Sequence, residues 1–226
     1  MRFFKQAGAI FWKDVLTELR TKDALTSMLL FGLLVILLFH FAFDEADSLQ
    51  MEHFGPGLLW MTFIFAGLLG MNRAFASERE NDSLQALKLA PIGWGAIYLG
   101  KMLANLVFML AAESVILSCF AVFFDLNLLP RLGRMCGITL LGTLGFASIG
   151  TIMAAISMNT RMSEVMLPLL LLPVALPLVI GAVNSTAAIF TDPPGEFLGF
   201  WVKFLVVFNI IFVTLPLLLF DYVLEE

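Results

Sequence analysis

Five stretches without a single charged side chain, Ala24 to Phe43, His53 to Asn72, Met135 to Thr160, Val165 to Thr191 and Phe204 to Phe220, run for lengths at which a helix crosses a bilayer. At ~1.5 Å per residue, about 20 residues bridge a hydrocarbon layer about 30 Å thick, and inside that layer only a helix or a closed barrel satisfies its own backbone. The shortest stretch extends backwards, because Lys203 can snorkel to the interface while Phe197 to Trp201 sit at or near it. A sixth stretch, Ile97 to Phe124, is interrupted only by Lys101 near one end and Glu113 near the middle. The predicted fold is therefore all-α and polytopic, a single domain over 1–226 with spans near 24–43, 55–72, 97–124, 135–158, 165–186 and 200–220. Composition agrees: 60% of the residues are hydrophobic and 14% charged, too little polar surface for a soluble domain of 226 residues.

Positive charge is retained on the cytoplasmic side, so the Lys and Arg residues set the orientation. Arg2, Lys5, Lys13, Arg20 and Lys22 precede the first span, Arg73, Arg79, Lys88 and Lys101 surround the loop after the second, and Arg161 lies between spans four and five. Arg131, Arg134 and Lys203 fall on the other side, and Asp44, Glu45, Asp47 and Glu52 make the first outer loop acidic. This predicts that both termini lie in the cytoplasm. The net charge of −5 and the lack of a basic cluster exclude nucleic acid as a partner. Trp12, Trp60, Trp94 and Trp201 all fall near predicted interfaces, where an aromatic belt places them. Cys119 and Cys136 flank the outer loop between spans three and four at different expected depths, which disfavours a disulfide.

Residues 1–22 alternate charge with apolar side chains instead of forming a cleavable signal. Phe3, Phe4, Ala7, Ile10, Phe11, Val15, Leu16 and Leu19 recur at helical spacing, and Lys5, Gln6, Lys13, Asp14, Thr17 and Glu18 take the other face. That pattern fits an amphipathic helix lying on the membrane surface; a plain basic topology tail is the simpler alternative. The loop at 73–95 has order of its own. Asp82, Ser83, Leu84 and Gln85 have the form of a capping box and Pro91 ends the segment, so a short helix from about Ser83 to Ala90 is expected, with Leu84, Leu87 and Lys88 on one side. Such a helix either inserts into a groove of a soluble partner or anchors the loop to the membrane.

The run GPGLLWMTFIFAGLLGMNRAFASERENDSLQALKLAP from Gly55 to Pro91 resembles the haem exporter protein B family of the cytochrome c maturation system. The resemblance continues in GKMLANLVF from Gly100 to Phe108 and in LPLLLLPVALPLVIGA from Leu167 to Ala182. It implies a six-span ABC-type permease that pairs with a separate ATP-binding subunit and with haem-handling protein C, the small protein D and the haem chaperone E. The sequence agrees that ATP belongs to another chain: no G-x-x-x-x-G-K-[ST] loop occurs, and the one Gly-Lys pair, Gly100 and Lys101, is followed by Met102. By resemblance, residues 1–22 are an elbow helix. The loop after span two becomes a coupling helix, its role falling on Glu78, Arg79, Glu80, Asp82, Ser83, Leu84 and Leu87. Arg161 and Glu164, in or beside the next loop of that side, become a secondary contact. Haem is the implied substrate, and no cofactor or metal is expected to be bound by this chain itself.

Within the spans, Glu113 is the one ionisable group near the bilayer centre, either functional or a hydrogen-bonded structural carboxyl. Pro168, Pro173 and Pro177 in span five are hinge candidates or sites of static bending. Thr143, Ala147, Thr151 and Ala155, with Gly142, Gly145 and Gly150, permit close approach of another helix, from this chain or from a second copy. His40 and His53, at the outer ends of spans one and two, are the residues to consider as haem ligands, with interfacial polar side chains as the plainer reading. Three functions remain besides haem export or ATP-driven release of a haem-loaded chaperone: a drug or lipid exporter permease, a membrane haem-handling enzyme, and a structural assembly subunit. The enzyme is disfavoured by the lack of paired carboxylates or zinc-ligand spacing.

Overall fold

The computed structural model describes residues 2–43, 48–80, 93–126, 128–158, 163–190 and 197–224. Among the described residues are seven α-helices: α1 (Arg2–Thr21), α2 (Asp23–Ala42), α3 (Ser48–Glu80), α4 (Trp94–Phe123), α5 (Leu132–Met158), α6 (Ser163–Phe190) and α7 (Leu198–Leu224), with one 3-10 turn at Leu129–Arg131. Each of α2 to α7 is long and apolar enough to cross a membrane, and each overlies one of the six charge-poor stretches. The molecule is a multi-pass, all-helical membrane protein. Leu30, Leu34, Leu38 and Phe41 of α2 and Phe200, Val207, Ile210 and Leu218 of α7 face outward, as lipid-facing side chains do.

Contacts between helices establish an up-and-down bundle. α1 packs on α4 near its start, and Gly95 at the start of α4 lies near the end of α7, where a Cβ would stand 3.5 Å from the Leu217 carbonyl. At the opposite end, the Arg131 guanidinium donates to the Phe190 carbonyl at 3.2 Å and stands 5.3 Å from the centre of the Phe190 ring. Arg131 thus covers the negative end of the α6 dipole, giving a local role to a cation that opposed the charge-based orientation.

α5 is the hub of the bundle, packed against α3, α4, α6 and α7. Lipid tails are as apolar as leucine, so helices in a bilayer associate through close packing and buried polar pairs. Gly142 receives the Trp60 ring, Gly150 receives Met71, and Gly145 sits against Leu178. Thr143 and Thr151 point to Glu113 and Asn105 of α4, so the threonines of the small-residue stripe find their partner within this chain. Trp60 corrects the aromatic-belt expectation. It is 3% exposed and its indole donates to Thr186 Oγ1 at 2.8 Å, a buried anchor that the missing side chain of Gly142 makes room for. Cys119 and Cys136 are both free.

Candidate coupling site at the α1 end of the bundle

The site forms where α1 meets α4. A Cβ on Gly100 would lie 2.7 Å from the Ala7 carbonyl and 2.8 Å from the Ile10 Cβ, so only glycine lets the α1 backbone come this close. One residue later, Lys101 Nζ is 3.5 Å from Asp14 Oδ2, and the other oxygen of Asp14 is 2.8 Å from Lys13 Nζ. Lys101 also stands 5.7 Å from the centre of the Phe75 ring of α3. A lysine only 5% exposed is costly unless paired, and the carboxylate and the ring face supply that compensation. Three elements therefore converge on one ammonium: the surface helix, the end of α3 and the start of α4.

The opposite-face assignment of Asp14 and Glu18 is corrected by this geometry. Ala7, Ile10 and Asp14 form the face of α1 that docks, spaced as one side of a helix, while Phe4, Trp12 and Leu19 are exposed. Asp14 turns inward because Lys101 offers it a partner in a place water reaches poorly. The sequence signal was the coincidence of an inward-phased acid in α1 with a lysine inside an apolar span.

Glu18 builds the corner between α1 and α2. Its Oε1 accepts from the Leu25 amide at 2.8 Å, serving as an N-terminal cap from the preceding helix, while Lys22 turns the chain in the left-handed region at φ 59°. Burial raises the Glu18 carboxyl above its usual 4.5, the Leu25 and Ala24 amides pull the other way, and the Asp23 charge adds to the rise.

The coupling candidates lie next to this cluster in the chain. Glu78, Arg79 and Glu80 are the last residues of α3, a helix that continues well beyond the predicted end of span two. Asp82, Ser83, Leu84, Leu87 and the expected helix around them lie outside the described residues, as does Arg161; Glu164 is the second residue of α6. The two helices that flank residues 81–92 thus carry Phe75 near the end of α3 and Lys101 near the start of α4.

Deeper in the bundle, α4 and α5 share a polar seam. Tyr98 hydroxyl pairs with Ser148 Oγ at 2.9 Å, Asn105 donates to Thr151 Oγ1 at 3.2 Å, and Thr143 donates to Glu113 Oε2 at 2.5 Å. Glu113 is 3% exposed, and no ion pair to it occurs among the described residues. Ser148 Oγ also bonds the Phe212 carbonyl, and Asn209 donates to the Leu141 carbonyl at 2.9 Å, so α7 is tied to the same hub. Of the hinge candidates, Pro168, Pro173 and Pro177 all lie inside the continuous α6 helix. His40 packs edge-on to Phe123 and Phe124, and His53 packs against Phe54. Among the described residues no group of three or more His, Cys, Asp or Glu is placed to hold a metal ion.

Residues 5–222 match the model of the family described as CcmB protein. Similar proteins include Heme exporter protein B of Rhodobacter capsulatus, 30% identical over 77% of this chain and 79% of the relative. The Pseudomonas aeruginosa protein of the same name is 30% identical over 71% of each chain. That of Bradyrhizobium diazoefficiens is 26% identical over 82% of this chain and 83% of its own length. With a match that runs nearly end to end and takes in both the α1–α4 clasp and the segment between α3 and α4, the chain belongs to the CcmB family.

Proposed function

We propose that this chain is the permease subunit of an ABC-type complex in c-type cytochrome biogenesis, working in haem export or in the ATP-driven release of a haem-loaded chaperone. ATP binds and is hydrolysed on a separate subunit, which grips the segment after α3 on the cytoplasmic side of the inner membrane. The observation that carries this reading is the clasp of Asp14, Lys101 and Phe75. It joins the surface helix to both stems of the coupling segment, so a pull on that segment is passed to α1, α3 and α4 together. From α4 the Tyr98, Asn105 and Glu113 pairs carry the displacement to α5, the hub. Such a chain of contacts gives a rigid path from a docked motor to the spans.

Glu78, Arg79, Glu80, Asp82, Ser83, Leu84 and Leu87 form the grip in this account, with Arg161 and Glu164 as a second contact. The haem-handling proteins C, D and E are the further partners, and the names of the relatives support haem as the cargo. The test is purification in mild detergent followed by mass spectrometry and ATPase assay. An ATP-binding protein is expected to co-purify, and charge reversal at Glu78 and Glu80 or truncation of Leu84 and Leu87 is expected to release or uncouple it. Full retention with unchanged coupling would make the segment a membrane anchor and defeat the proposal.

A further inference from the structure

A cavity of about 300 Å³ opens between α1, the start of α2, the end of α3 and the start of α4. Six charged residues line it: Lys13, Asp14, Glu18, Asp23, Arg73 and Lys101, three of each sign. The remaining lining includes Ala24, Met28, Ala104 and Phe108, which belong to spans and continue toward the bilayer interior. The cavity is therefore charged at the level of α1 and, apart from Asn105, mostly apolar below it, and its lining charges sum to zero.

Four of the charges are already engaged. Lys13 and Lys101 each pair with Asp14, and Glu18 accepts from the Leu25 amide. Arg73 on α3 and Asp23 on α2 line the same cavity, and neither has an ion-pair partner among the described residues. A guanidinium and a carboxylate on different helices, above apolar walls, complement a ligand with a phosphate, a cationic amine and a hydrocarbon tail. Arginine is suited to bidentate phosphate binding, and a primary ammonium can donate hydrogen bonds to a carboxylate.

We propose that this cavity binds the headgroup of a zwitterionic, ethanolamine-type phospholipid, with its phosphate on Arg73, its ammonium on Asp23 and the start of an acyl chain along Met28 and Phe108. An anionic headgroup would satisfy Arg73 and leave Asp23 without a cation, whereas a zwitterion satisfies both. Haem fits less well, because its two carboxylates would meet one cation outside an ion pair, Arg73, and Met28 is the one lining side chain of an axial-ligand type. Phe75, the ring beside Lys101, already faces a cation, which favours a hydrogen-bonding ammonium over a quaternary amine caged by aromatics. The lipid would wedge α1 against α2 and α3 and keep the clasp in place. This inference stands apart from the transport reading, because it needs no ATPase.

The test is native mass spectrometry of the purified full-length chain after exchange into vesicles containing equal parts of phosphatidylethanolamine, phosphatidylcholine and phosphatidylglycerol. One ethanolamine lipid should persist after the others are stripped, and Arg73→Gln and Asp23→Asn should each reduce its retention by about tenfold. Arg73→Lys should retain part of it, and circular dichroism checks that all variants stay folded. Equal retention of the three lipids, or unchanged retention in Arg73→Gln, would overturn the proposal. Displacement of the lipid by soluble phosphoethanolamine at comparable concentration would make the ligand a small phosphate ester instead. Haem binding that depends on Arg73 and expels the lipid would assign the cavity to cargo and also overturn it.

Discussion

Asp14 and Lys101 form a pair whose members are unequally sheltered, the lysine 5% and the aspartate side chain 16% exposed. Removing the anion strands the more deeply buried charge, so Asp14→Asn should destabilise the chain more than Lys101→Met, which keeps the length of the side chain and leaves Asp14 near water and Lys13. Thermal unfolding in detergent ranks the two, and a reversed order would contradict the pairing. Glu18 gives a second prediction. Glu18→Ala leaves the Leu25 amide uncapped and should cost about 1 kcal/mol, whereas Glu18→Gln keeps the acceptor and should cost little. Because burial raises the folded-state carboxyl above 4.5, the folded chain binds this proton more tightly than the unfolded chain. Stability from this group therefore falls as pH rises from 4.5 through the raised value, and Glu18→Gln should flatten that slope. Polarity misplaced Asp14, since an acid on a surface helix is assigned to water unless a buried cation is known to face it, and Lys101 is distant in sequence.

α1 is held to the bundle by a backbone approach as well as by charge. Gly100→Ala would push a methyl group into the Ala7 carbonyl, so it should loosen α1 and raise hydrogen exchange over residues 2–21, with Gly100→Val doing more. Gly133→Ala is the control, because nothing lies within 4 Å of a Cβ at that position, and it should leave exchange unchanged. The α4–α5 seam carries a related expectation. Glu113→Gln retains a group that hydrogen-bonds Thr143 and should be near neutral, while Glu113→Leu removes it and should cost about 0.6 kcal/mol, with ~1.7 as an upper bound for such pairs in membranes. The existence of all six spans was legible because uninterrupted apolar length is a local property. Which face of α5 meets which neighbour was not, because a Thr and Gly stripe states only that something comes close; Trp60 filling Gly142 is settled by the tertiary packing of α3.

Across the bundle, the arrangement concentrates its charged machinery at one end. α1, the beginnings of α2 and α4 and the end of α3 meet there, and the charged stretch from Met71 to Pro91 takes in the end of α3 and the residues before α4 in the chain. The spans behind it are joined through α5, so motion at that end has a continuous packed route inward. That the charged segment stands out was readable from composition, since six charges between Met71 and Pro91 interrupt two apolar spans. The docking of α1 beside it was not, because the ion pair joins residues 14 and 101, which are far apart in sequence, and neither stretch names its partner. The most direct measurement is photo-crosslinking from a probe installed at Leu84 in intact membranes, with the captured chain identified by mass spectrometry. Capture of an ATP-binding protein from the cytoplasmic side is expected; a probe reached only from the periplasm, or one that captures lipid alone, would contradict a cytoplasmic coupling segment.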